Sequence, residues 1–216
     1  MIVMKSYSLN STHYKNIKKF LDDNDIRLLI TDINGVIDNY YDIKFNFLSA
    51  LLGESKLSDL PHLWTFIEQS YINNKTSIES GARGFYESKN MTLDSRQQAL
   101  LEAGMQRSKI TSAATTFLDD LKIECILYTS MNSASTKSTL DGNDYKVYFS
   151  EDSSVEKPSS IDLQYIIDQY NVSNNKVCMI GDGLIDDLMP ASLFGIHTIL
   201  VTPYAQQLIS LQTVLK

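Results

Sequence analysis

The run Leu28-Leu29-Ile30 constrains the fold more than any other part of the sequence. Three adjacent apolar residues are too few for a helix and do not alternate, so they fit a strand covered on both faces. Asp32 follows where that strand should end. In open α/β sheets the carboxyl ends of parallel strands line the crevice that binds ligands. Gly35 then permits a tight turn with unusual dihedrals. With a strand period of two, Asp32 and Asn34 point to the same side.

The remaining pattern extends this reading. Residues 10–23 suggest a helix, with Ser11 or Thr12 as cap and Tyr14, Ile17, Phe20 and Leu21 at helical spacing. From Tyr40 to about Thr111 only helical faces are seen. Phe45, Phe47, Leu48, Leu51 and Leu52 form one, ending at Gly53. Leu63, Trp64, Phe66, Ile67 and Tyr71 form a second, read as the core of this segment. Leu93, Leu100, Leu101 and Met105 form another. The stretch Ser80-Gly81-Ala82-Arg83-Gly84 reads as a loop.

After residue 112 strands and helices alternate strictly. Strands are expected at 123–128, 146–149, 176–180 and 196–201, with helices at 113–121, 133–140, 159–170, 186–194 and 204–215. This order implies parallel strands with right-handed crossovers. The expected fold is α/β: a Rossmann-like doubly wound parallel sheet from residues 1–41 and 112–216, with a helical segment, 42–111, inserted after the first strand.

The composition is that of a globular chain: 216 residues, 43% hydrophobic and 21% charged. Net charge is -7, which argues against nucleic acid or an anionic membrane as the main partner. No apolar run is long enough to span a bilayer. The opening residues lack the basic region and apolar core of a signal peptide. Cys125 and Cys178 both fall inside expected strands, as reduced core residues would. A cytoplasmic location is therefore expected.

Four polar stations follow expected strands or open expected helices: Asp32 with Asn34, Thr129 with Ser130, Lys157, and Asp182 with Asp186 and Asp187. In a doubly wound sheet these stations converge along one edge. Taken singly, each has a plainer role as a turn, cap or surface residue. Glycines flanking Asp182 permit close backbone approach, and acidic residues at 186 and 187 also suit a helix start.

The order and spacing resemble the haloacid dehalogenase-like superfamily of hydrolases. The matching segments are Asp32-Ile33-Asn34-Gly35-Val36, Thr129 at a strand end, Lys157-Pro158, and Gly181-Asp182-Gly183-Leu184-Ile185-Asp186-Asp187. The helical insert sits where that family places its type-one cap. The resemblance implies that Asp32 is a nucleophile forming an aspartyl intermediate. It implies Mg²⁺ held by Asp32, the backbone oxygen of Asn34 and Asp182, with Asp186 or Asp187 acting directly or through water. Thr129, or Ser130 in its place, would bind a phosphoryl oxygen, and Lys157 would balance the charge. In the cap, Arg83 is a candidate contact for an anionic substrate. His13, His62 and His197 show no metal or triad spacing.

One departure matters. The family's phosphatases carry Asp two residues after the nucleophile, as the acid and base of the reaction. Here Asn34 stands there, and an amide does not exchange protons at neutral pH. The expected function is a Mg²⁺-dependent phosphatase or phosphotransferase for a small phosphorylated metabolite, with weakened acid–base catalysis. Two alternatives stay open. One is an impaired domain binding a phosphorylated ligand or protein partner. The other is a dehalogenase- or phosphonatase-like hydrolase.

Overall fold

A computed structural model describes residues 8–74, 76–150 and 160–201. The chain divides into two compact units, one from residues 1–41 and 108–216 and one from residues 42–107. Lys157 with Pro158, and the helix expected at 204–215, lie outside the described residues.

The first unit holds β1 (Leu28–Thr31), β2 (Glu124–Thr129), β3 (Val147–Phe149), β4 (Val177–Gly181) and β5 (His197–Leu200). They form a parallel sheet in the order β3-β2-β1-β4-β5. β1 is central, and Leu28, Leu29 and Ile30 are completely buried. Alternation sends these side chains into two cores. Leu29 packs with Tyr14, Ile17 and Leu21 of α1 (Ser11–Asp23) and with Phe117 and Leu118 of α6 (Ser112–Asp119). Leu28 and Ile30 pack with Leu163, Ile166 and Ile167 of α8 (Ser160–Tyr170), which follows α7 (Ser133–Leu140) in the chain. Helices therefore cover both faces, as the apolar run requires.

One buried carboxylate in this unit is fully engaged. Asp162, in the first turn of α8, accepts the Tyr128 hydroxyl at 2.9 Å and the Tyr148 hydroxyl at 3.2 Å. That ties α8 to β2 and β3, at a carboxylate 1% exposed. Burial pushes the Cys125 and Cys178 thiols up to about 12, so both are inert core residues.

Three local details differ from the sequence reading. Asn10, not Ser11 or Thr12, caps α1, accepting from the amides of Thr12 and His13. The His13 ring returns the bond to the Asn10 amide, which gives that histidine a structural role. The helix expected at 186–194 is broken into a π-turn, Leu184–Leu188, and a short α9, Met189–Leu193, with Pro190 at its start. Proline lacks the amide needed to continue the earlier turn, but fits the first turn of a new helix. Residues 108–111 pack with the sheet unit. The amide of Asn39 bonds the Lys109 carbonyl and that of Thr111 bonds the Ile37 carbonyl, which joins the two chain crossings.

The second unit comprises most of α2 (Tyr40–Leu52, whose first two residues belong to the sheet unit), a 3₁₀ segment (Glu54–Asp59), α3 (Leu60–Asn74), α4 (Ile78–Ser88) and α5 (Ser95–Ala103). The stretch read as a loop, residues 80–84, lies inside α4. Ser77 caps that helix through the Ser80 amide. Gly81 and Gly84 are interior to it because they face α3. A Cβ at 81 would lie 3.2 Å from Ile67, and one at 84 would lie 3.4 Å from Phe66. Close packing here outweighs the low helix propensity of glycine. Of the aromatic residues read as core, Trp64 is buried but Tyr71 is 47% exposed.

This unit also buries charge and polarity. The Lys44 ammonium, 3% exposed, pairs with Glu68 and lies 4.6 Å from the Trp64 ring centroid. Gln97 donates to the Leu51 carbonyl at 2.8 Å and to the Tyr86 hydroxyl at 3.0 Å. Among the described residues no helix is long and apolar enough to cross a membrane.

The central strand carries most leverage on stability. Leu29→Ala is expected to cost about 2–5 kcal/mol, seen as a lower urea midpoint at unchanged slope.

Candidate active site

β1 and β4 are neighbours although distant in sequence, so the chain reverses its winding between them. Their register pairs Thr31 with Ile180, and the Asp32 amide continues the ladder to the Ile180 carbonyl at 2.9 Å. This places Asp32 beside Gly181-Asp182. Asp32 is 8% exposed and Asp182 is half-buried.

A third carboxylate joins them. Asp32, Asp182 and Asp187 each offer an oxygen, and these oxygens lie within 4.8 Å of one another. The π-turn explains how Asp187 reaches the other two. Its wider loop bonds the Leu188 amide to the Gly183 carbonyl and turns Asp187 back, so that Oδ2 accepts the Gly183 amide at 3.0 Å. Gly181 is needed there, since a side chain at 181 would collide with Asp187. The side chain of Asp186 lies outside the described atoms.

Three carboxylates this close repel one another, by on the order of 3–4 kcal/mol per pair when all are ionised at an effective dielectric near 20. A cation relieves that repulsion. The donors are all hard oxygens with no histidine or thiol, which suits Mg²⁺ or Ca²⁺ and not a softer metal.

The turn after β1 is built around Gly35 and Asp38. Gly35 has φ +72°, a value that favours glycine. Asp38 is 1% exposed, and its Oδ1 accepts the amides of Gly35 at 2.7 Å and Tyr40 at 3.1 Å. Among the described residues its Oδ2 has no hydrogen-bond partner. Burial pushes this carboxyl up to about 6; the nearby Ser108 hydroxyl and the two turn amides act against that, and Asp32 adds to it. The Tyr14 hydroxyl donates to the Val36 carbonyl at 2.7 Å, which fixes the turn from the other side.

The other stations are placed as follows. Thr129 is buried at the end of β2, its hydroxyl oxygen accepting the Met131 amide at 3.0 Å. That bond does not use the hydroxyl proton, which remains available to an anion. Ser130 is exposed and Asn34 half-buried. Arg83 is half-buried in α4, part of the helical unit.

One contact was not anticipated. The Tyr41 hydroxyl donates to Asp182 Oδ2 at 2.6 Å. Tyr41 lies in the first turn of α2 and carries no motif, so nothing in the sequence marks it.

A model of the haloacid dehalogenase-like hydrolases matches residues 26–195. Similar solved structures include the HAD-hydrolase YfnB from Bacillus subtilis bound to magnesium, at 16% identity and TM-score 0.55, covering 81% of this chain and 88% of that one. A haloacid dehalogenase-like hydrolase from Xanthomonas campestris has 12% identity and TM-score 0.57, covering 84% and 83%. L-2-haloacid dehalogenase from Xanthobacter autotrophicus has 12% identity and TM-score 0.55, covering 88% and 82%. At these identities the likeness shows a shared fold. None of the curated proteins gives a significant match.

The raised Asp38 carboxyl has a signed consequence. A native carboxyl that holds its proton more tightly than the unfolded chain contributes stability below pH 4, and that stability is lost as pH rises through about 6. The wild type is expected to lose about 3 kcal/mol across this window relative to Asp38→Asn. Urea unfolding at pH 4 and pH 7 checks it.

Proposed function

The chain belongs to the haloacid dehalogenase-like hydrolases, and from that premise we propose that it is a Mg²⁺-dependent phosphoryl hydrolase acting on a small phosphorylated metabolite. The observation that carries this reading is the convergence of Asp32, Asp182 and Asp187. A dehalogenation site needs one attacking carboxylate and no cation. Three carboxylates within 4.8 Å suit a divalent ion and a phosphoryl group.

The chain's residues divide the work. Asp32 attacks phosphorus and forms an aspartyl phosphate, and the leaving oxygen departs with the bonding pair. Water then attacks phosphorus, restoring the Asp32 carboxylate and releasing phosphate. Thr129 donates its hydroxyl proton to a phosphoryl oxygen, and Lys157 supplies positive charge. Asp32, Asp182 and Asp187, with the backbone oxygen of Asn34, would hold the ion, which would supply charge neutralisation at the phosphoryl group. The helical unit serves as the cap that selects substrate, with Arg83 as its anion contact.

Asn34 sets the substrate's character. It neither protonates a leaving alkoxide nor activates water. A substrate with a stable leaving group, such as an acyl phosphate, needs that help least. The same residue favours a second reading, in which the domain binds a phosphorylated ligand with little or no turnover.

A phosphate-release screen across phosphorylated metabolites tests both. Activity should appear with Mg²⁺, vanish on chelation, and vanish in Asp32→Asn. Asn34→Asp should raise hydrolysis of simple esters by about a hundred- to ten-thousand-fold. Ligand-dependent stabilisation without release by either protein would favour the binding role. Metal-independent halide release from a 2-haloacid would overturn the phosphoryl reading.

A further inference from the structure

Tyr41 makes a contact that the proposed chemistry does not require. Its hydroxyl donates to Asp182 Oδ2 at 2.6 Å. The same oxygen lies against Gly35, where a Cβ would sit 2.7 Å from it and would strike the Tyr41 ring. The carboxylate of Asp182 is thus wedged between the Gly35 backbone and a phenol. A hydrogen bond to a charged acceptor is among the stronger kinds, roughly twice the usual neutral bond.

We propose that Tyr41 is a specificity-determining residue for the metal centre: by holding Oδ2, it keeps Asp182 to one-oxygen coordination and so favours Mg²⁺ over Ca²⁺. The inference rests on the metal-centre reading above. Mg²⁺ takes six ligands in near-ideal octahedral geometry at short distance, and a carboxylate presenting one oxygen suits it. Ca²⁺ takes six to eight ligands and often accepts both oxygens of a carboxylate. To present both, Asp182 must rotate, and rotation breaks the Tyr41 bond. Asp187 is restrained in the same sense, because its Oδ2 accepts the Gly183 amide. Tyr41 is the restraint that a single conservative substitution removes, since phenylalanine keeps the ring against Gly35.

The test is calorimetric titration of metal-free wild type and Tyr41→Phe with Mg²⁺ and with Ca²⁺, requiring no turnover. The shift in unfolding temperature caused by each ion gives a second measurement on the same proteins. Tyr41→Phe is expected to raise Ca²⁺ affinity relative to Mg²⁺ by about tenfold, the loss of one charge-assisted bond. A general loosening of the site would weaken both ions together and leave their ratio unchanged. An unchanged ratio, with wild type binding Mg²⁺, overturns the role of Tyr41 and leaves the metal centre standing. A wild type that binds neither ion overturns both.

Discussion

The site depends on one parallel ladder, β1 against β4. Residues 28–31 and 177–180 are far apart in sequence, and their register alone brings Asp32 level with Gly181-Asp182. A slip of one residue would turn Leu28 and Ile30 toward the other core and carry Asp32 away from the edge. The register is secured because both faces of β1 are buried, so no slipped arrangement satisfies either core. The cost of assembling three like charges is therefore met by hydrophobic packing on strands that do no chemistry. That is how the strand edge holds three carboxylates together although their charges repel.

Close backbone approach is the second constraint. Gly35 admits the Tyr41 ring and the Asp182 carboxylate, and Gly181 admits Asp187. Each glycine lies next to a carboxylate of the cluster, so the smallest side chains stand where the charged ones converge. The orphaned oxygen of Asp38 belongs to the same logic. Its partner oxygen accepts two turn amides, so the same buried carboxyl that closes the turn holds its proton more tightly than an exposed one.

The sequence made the sheet legible because burial on two faces leaves a plain mark, an apolar run such as Leu28-Leu29-Ile30 closed by a carboxylate. Asp32, Thr129 and Asp182 were legible for the same reason, as polar residues at strand ends. The helix α4 was not legible. Gly81 and Gly84 signal a loop locally, and only the Ile67 and Phe66 side chains opposite them give the contrary reason. Nor did the sequence show the π-turn that brings Asp187 to Asp32 and Asp182, and Pro190 marks the break in the helix only in retrospect. Tyr41 was invisible because its role comes from a partner 141 positions away. Sequence patterns record burial period; they do not record which side chain a long-range contact will meet.

The amide at 34 is best understood through charge. A carboxylate at 34 would add charge to a turn that runs from Asp32, part of a three-carboxylate cluster, to Asp38, a buried carboxyl already pushed up to about 6. Each added like charge at such range raises the cost of the ionised cluster by an amount comparable to a whole hydrogen bond. Asn34 keeps the backbone carbonyl that a metal centre uses and keeps the shape that the turn requires, while adding no charge. The exchange surrenders a proton donor and makes the metal-free site less repulsive. In the proposed phosphoryl chemistry, the residue that withholds acid–base help is also the one that favours ligands with good leaving groups.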